Sequence, residues 1–167
     1  MEYLCSPWRG RYVIGGEREA GCVFCRLAEE GGEDEILLRT DHWYVTLNAF
    51  PYTNGHLLVV SRAHAAWLGE LSREALDELG PLLARLERLL HSAYGPEGLN
   101  VGINFGSAGG AGIPGHLHVH LVPRWVGDTN FMSAVGNTRV LPEALEDSFA
   151  RLRRCLEVLD DEPEADR

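Results

Sequence analysis

The segment His116-Leu117-His118-Val119-His120-Leu121-Val122 constrains this chain more than any other. Side chains two apart on a β-strand point the same way, so an extended backbone here puts three imidazoles on one face and Leu117, Val119 and Leu121 on the other. The apolar side demands a core to cover it. Three histidines sharing the opposite side, directly after the glycine-rich stretch 106–115, are costly to place without a use for them. A neutral imidazole is a competent nucleophile near neutral pH when one ring nitrogen is held as a donor and the other is left bare.

The rest of the chain supplies elements that can cover such a strand. Ile36 to Thr40 and Trp43 to Leu47 are hydrophobic, β-branched runs separated by Asp41-His42, the pattern of a hairpin. Pro51 to Gly55 is turn chemistry, and His56 to Val60 reads as a strand buried on both faces. Ser72 caps a helical pattern with Leu76, Leu79, Leu83, Leu86 and Leu90 at helical spacing, in which Gly80-Pro81 predicts a kink or a break. Residues 95–98 end that helix, Leu99 to Phe105 reads as a strand, and Pro142 suits the first turn of a last helix running through Leu159. A length of 167 residues fits one domain, with an N-terminal arm at 1–20, a short helix after Cys25, a surface turn at Glu29 to Glu35 and a frayed acidic tail at 160–167.

Charge and cysteine usage exclude several roles. A net charge of -10 with 15 Lys+Arg leaves no broad cationic face for nucleic acid. No apolar run approaches the roughly 20 residues of a membrane helix. The first eight residues show no basic segment followed by an apolar stretch, so no secretory leader is expected and the cytoplasm is the expected compartment. There the four cysteines, Cys5, Cys22, Cys25 and Cys155, are expected as thiols or metal ligands rather than as a disulfide framework. Cys22-Val23-Phe24-Cys25 has the spacing that lets two thiolates reach one ion, which then needs two further ligands.

Three histidines alternating with hydrophobic residues and followed by two more hydrophobics, as in His116 to Val122, resemble the signature of the histidine triad family. The resemblance extends to Leu47 to Leu57 and to Pro123 to Phe131, the latter similar to the subgroup that acts on dinucleoside polyphosphates such as diadenosine tetraphosphate. It implies an α+β fold with an antiparallel sheet of about five strands, one long helix and a C-terminal helix, usually assembled as a homodimer. It also implies a nucleotide substrate cleaved at the α-phosphate, with His118 as nucleophile and His120 on the leaving-group side. In the zinc-bearing branch of the family the remaining metal ligands match His64 and His116, which with Cys22 and Cys25 make a closed, structural zinc site. Substrate contacts are expected from Asn48 at the ribose, from Asn104, Gly106, Ser107 and Gly110 at the phosphates, and from Arg124 and Trp125 at the distal phosphates and base. His56 is expected to be structural, and His42 and His91 to lie on the surface. Either water or orthophosphate can resolve the nucleotidyl-histidine intermediate, making the chain a hydrolase or a phosphorylase. A nucleoside phosphoramidase and a nucleotide-binding interaction protein are the alternatives.

Overall fold

A computed structural model of the chain describes residues 21–128 and 143–161. Within them five strands form one antiparallel sheet: β1 (Ile36–Arg39), β2 (Trp43–Leu47), β3 (Leu57–Ser61), β4 (Gly98–Ile103) and β5 (His118–Arg124), in the order β1-β2-β3-β5-β4. A short helix α1 (Val23–Glu30), a long helix α2 (Arg73–Tyr94) and a C-terminal helix α3 (Leu145–Asp161) complete an α+β architecture. The arm at 1–20, Pro142 and residues 162–167 lie outside the described residues, whereas Asp160 and Asp161, expected to fray, are the last residues of α3.

Strand alternation divides the interior into two layers. Trp43, Val45, Leu57, Val59, Val119 and Leu121 face α2 and α3, where they bury against Leu82, Leu86, Leu89, Leu90, Leu152 and Leu156. Tyr44, Leu58 and Val60 face the other way and pack with Phe24 of α1 and Ile36. His118 and His120 belong to this second face, since they pair with Val60 and Leu58 across the β3–β5 ladder. The sheet thus keeps one side for the core and offers the other to chemistry.

The long helix departs from expectation in two ways. It runs unbroken through Pro81, which is exposed, so the missing proline N–H leaves the carbonyl of exposed Asp77 to water rather than to a buried gap. Its buried face is Ala75, Leu82, Leu86, Leu89, Leu90 and Ala93, with Leu79 and Leu83 on the flanks, while Leu76 is 37% exposed. Ser72 accepts a hydrogen bond from the Ala75 N–H as an N-cap, and Gly95 ends the helix at φ +53°. Two buried bonds tie the layers together: Trp43 Nε1–H donates to the Ala75 carbonyl at 2.8 Å, and Tyr44 O–H to the Phe24 carbonyl at 2.8 Å. Strand bounds differ too. β4 begins at Gly98 and ends two residues before Phe105, and the β5 ladder starts at His118, leaving His116 in the approach to the strand.

The turn that returns the chain into β3 depends on Gly55. Its φ is +74°, and a Cβ there would fall 2.7 Å and 2.9 Å from ring carbons of Tyr94. Gly55→Ala is therefore expected to cost about 2–4 kcal/mol, from the left-handed backbone and the overpacked ring together. Urea unfolding monitored by circular dichroism measures it, and an unchanged midpoint would contradict this account of the turn.

A histidine cluster beside a Cys/His knot

The three histidines of the motif divide into two uses. His116 is 1% exposed and turns its Nδ1 toward the cysteines: Cys22 Sγ lies at 3.2 Å and Cys25 Sγ at 3.6 Å, while His64 Nδ1 lies 3.1 Å from Cys25 Sγ. One ligand atom from each of these four residues lies within 4.8 Å of all the others. Ligand bonds of roughly 2.0–2.3 Å about a tetrahedral ion place neighbouring ligand atoms roughly 3.3–3.8 Å apart, so the set fits a single metal ion. The donors are also prepared for it. His116 Nε2–H donates to the Ser61 carbonyl at 2.7 Å, which leaves Nδ1 bare, and burial holds the ring below its usual pKa. Burial, with the neighbouring Cys22 next, pushes the Cys25 thiol up, a cost that a bound cation reverses.

His118 is buried at 5% exposure, and its Nδ1–H donates to the carbonyl of His116 at 2.8 Å. In the neutral ring that leaves Nε2 without a proton, the condition for a nucleophile. Phe24, carried between the two cysteines, sets its ring 5.1 Å from that of His118 and 5.5 Å from that of His116. The start of α1, which gathers the cysteines, therefore also packs His118.

His120 lies 5.0 Å from His118, ring to ring, and is pushed down to about 4 by burial first and by His118 second. It is neutral at pH 7 and needs one proton on one nitrogen. His56 decides which. The Tyr52 main-chain N–H donates to His56 Nδ1 at 3.1 Å, so His56 carries its proton on Nε2, which lies 3.0 Å from His120 Nδ1. His120 Nδ1 must accept, and its own proton sits on Nε2. His56, expected only to be structural, is wholly buried and sets the state of a catalytic candidate. The Gly-His pair at the end of a turn announces a constrained backbone, but nothing local announces its partner 64 residues away.

The remaining candidates are less uniformly grouped. Asn48 Oδ1 accepts the Phe50 N–H at 2.9 Å and its Nδ2 lies 3.3 Å from His56 Nδ1, so it braces this cluster from the β2 end. The β4–β5 ladder pairs Gly102 with His120 and ends at Ile103 opposite Val119, so Asn104 leaves the strand one residue beyond the last pair. Gly106 and Gly110 take φ +64° and +87°, folding the loop through Gly110 N–H to the Ser107 carbonyl and Ala111 N–H to the Gly106 carbonyl. Ser107 is exposed at its crest. Arg124 stands six residues along β5 from His118, roughly 20 Å away, with its guanidinium on both oxygens of Asp128 at 2.6 and 2.8 Å and on Asn100 Oδ1 at 2.8 Å. That arrangement makes Arg124 a staple of the strand end, and the Trp125 N–H joins it on Asp128. His42, expected on the surface, is half-buried against Glu78 at 2.6 Å, while His91 is exposed.

Known proteins are similar in sequence and in fold. Residues 30–126 match the family model of the HIT domain. A relative from Mycobacterium tuberculosis named AP-4-A phosphorylase is 39% identical over 157 residues, covering 89% of this chain and 80% of the relative. Adenosine 5'-monophosphoramidase of Schizosaccharomyces pombe is 31% identical over 103 residues, covering 62% of this chain and 74% of that protein. Among solved structures, a Zn-bound histidine triad family protein from Mycobacterium smegmatis aligns with a TM-score of 0.69 at 29% identity, over 84% of this chain and 96% of that one. With the family model spanning more than half of its length, and with His118 and His120 on β5 and His116 in its approach, the chain belongs to the histidine triad family.

Proposed function

We propose that the protein is a nucleotidyl transferase that cleaves dinucleoside polyphosphates such as diadenosine tetraphosphate, with orthophosphate as the acceptor. The observation that carries this is the proton arrangement: a bare Nε2 on His118 beside an Nε2–H on His120. His118 Nε2 attacks the α-phosphorus, forming a P–N bond as the P–O bond to the distal polyphosphate breaks. His120 Nε2–H donates a hydrogen bond to the departing oxygen, which leaves as an anion of ATP. Orthophosphate then attacks the same phosphorus, the P–N bond breaks, and ADP leaves with His118 restored. The choice of acceptor follows the name of the relative that is 39% identical. Asn48 serves the ribose side, and Asn104, Ser107 and the N–H groups of the Gly106–Gly110 loop serve the phosphates.

Incubation with diadenosine tetraphosphate, with and without orthophosphate, tests the reading. ATP plus ADP appearing only with phosphate is expected. ATP plus AMP in both conditions would make the protein a hydrolase, and turnover of adenosine phosphoramidate alone would favour the activity named for the yeast relative. His118→Asn is expected to abolish turnover while nucleotide affinity stays within about tenfold.

The Cys22, Cys25, His64 and His116 set is proposed to hold zinc in a structural role, since four protein ligands leave no open position. Bound there, zinc would cross-link the start of α1 to the approach of β5. Metal analysis is expected to find about one zinc per chain, and Cys25→Ser to lose it and lower Tm by about 10 °C. Protein purified without chelators and free of zinc would remove the proposal.

A homodimer joined through β4 completes the reading. This edge strand presents Val101 at 53% exposure, with no charged residue along Gly98–Ile103 to discourage pairing. Sedimentation at twice the monomer mass is expected for the wild type and at the monomer mass for Val101→Glu; a monomeric wild type would refute it.

A further inference from the structure

The Tyr52 ring lies over the pair that sets the leaving-group donor. Its centroid is 4.7 Å from that of His56 at an interplanar angle of 40°, and 6.1 Å from that of His120 at 15°, nearly parallel. The outer side of Tyr52 meets solvent, with the residue 47% exposed, while His56 beneath it is wholly buried. The same residue supplies the main-chain N–H on His56 Nδ1. Pro51 before it is buried and Gly55 after it is packed on Tyr94, so the turn that presents the ring is fixed at both ends.

We infer that Tyr52 is a positioning residue for His120: its ring excludes water from the His56–His120 hydrogen bond and so keeps the His120 proton on Nε2. The inference rests on the nucleotidyl-transfer reading for its bearing on catalysis, though not for its bearing on the proton. Water can donate or accept, and a water reaching His120 Nδ1 would stabilise either tautomer. His56 Nε2–H, with Nδ1 already accepting from Tyr52, can only donate. Covering the pair therefore turns a two-way choice into one, and the lower local dielectric strengthens the bond that enforces it. The ladder neighbours of His120, Leu58 and Gly102, carry no polar side chain, and the facing rings are His118, His56 and Tyr52. Beside His56 the Asn48 Nδ2 lies 3.3 Å from Nδ1 and 3.4 Å from Nε2, and as a donor it cannot take the Nε2 proton.

The proton position has a spectroscopic signature independent of any substrate, in the 15N shifts of the His120 ring. Wild-type protein and Tyr52→Phe are expected to show one tautomer, with Nε2 protonated, and Tyr52→Ala a mixture. On diadenosine tetraphosphate with orthophosphate, Tyr52→Ala is expected to lower kcat about tenfold with KM within about threefold, and Tyr52→Phe to restore kcat. Tyr52 is exposed, so the alanine variant is expected to fold, and its Tm checks this. A single tautomer retained in Tyr52→Ala, or a phenylalanine variant as impaired as the alanine one, would overturn the assignment. Wild-type protein with one tautomer and no turnover would instead overturn the nucleotidyl-transfer reading.

Discussion

Everything at the site depends on His116 being held from three directions. Its Nε2–H is committed to Ser61 on β3, its Nδ1 to the cysteine side, and its carbonyl to the His118 ring. A side chain with one free torsion would wander, but a buried ring bonded at both nitrogens cannot, and its own peptide group is then held with it. The His118 ring inherits that order through one 2.8 Å bond. The Cys/His knot, the sheet and the His118 ring are thus mechanically one object.

Within that object the division of the sheet into two faces does most of the organising. The α2-facing side is continuous hydrocarbon, where displaced water drives the fold, while the opposite side mixes Leu58 and Val60 with imidazoles. Polar rings are tolerated there because each is satisfied: His116 by Ser61, His118 by His116 and His56 by Tyr52. Among the described residues the one buried side-chain polar atom without a partner is Asn54 Oδ1, in the turn before Gly55 and away from the triad.

How much of this was legible in the sequence depends on range. The shared face of His118 and His120, the hairpin, the caps at Ser72 and Gly95 and the single sheet follow from periods of 2 and 3.6 residues and from residues whose preference is local, whereas His116, expected on the same strand face, lies before β5. No break occurs at Pro81, because a proline's harm depends on whether water can reach the carbonyl it orphans, and exposure is a tertiary property. The face of α2 turns for a similar reason. Helical spacing marks the stripe Leu76, Leu79, Leu83, Leu86 and Leu90, whereas the packing of α3 and the sheet buries Leu82 and Leu89 with Leu86 and Leu90. The Asp128 partner of Arg124 stands four residues away and that spacing is visible in the sequence, whereas Asn100 across the ladder is not. His64 entered through the family resemblance, and the partnership of His56 with His120 through neither pattern nor spacing, because it joins groups 64 residues apart.

The groups that place protons on His116, His118 and His56 share a property: each is a main-chain atom, the Ser61 carbonyl, the His116 carbonyl and the Tyr52 N–H. Main-chain atoms are present whatever side chain a codon specifies, apart from the N–H that proline lacks. Drift at position 61 can therefore change what surrounds the cluster without moving the proton of His116. The vulnerability lies elsewhere, in strand register: sliding β5 by one residue against β3 would turn His118 and His120 toward the hydrocarbon side at once. Such a chain is buffered against substitution at those main-chain contacts and exposed to insertion or deletion within β3 or β5, where a single added residue shifts the frame in which the protons are read.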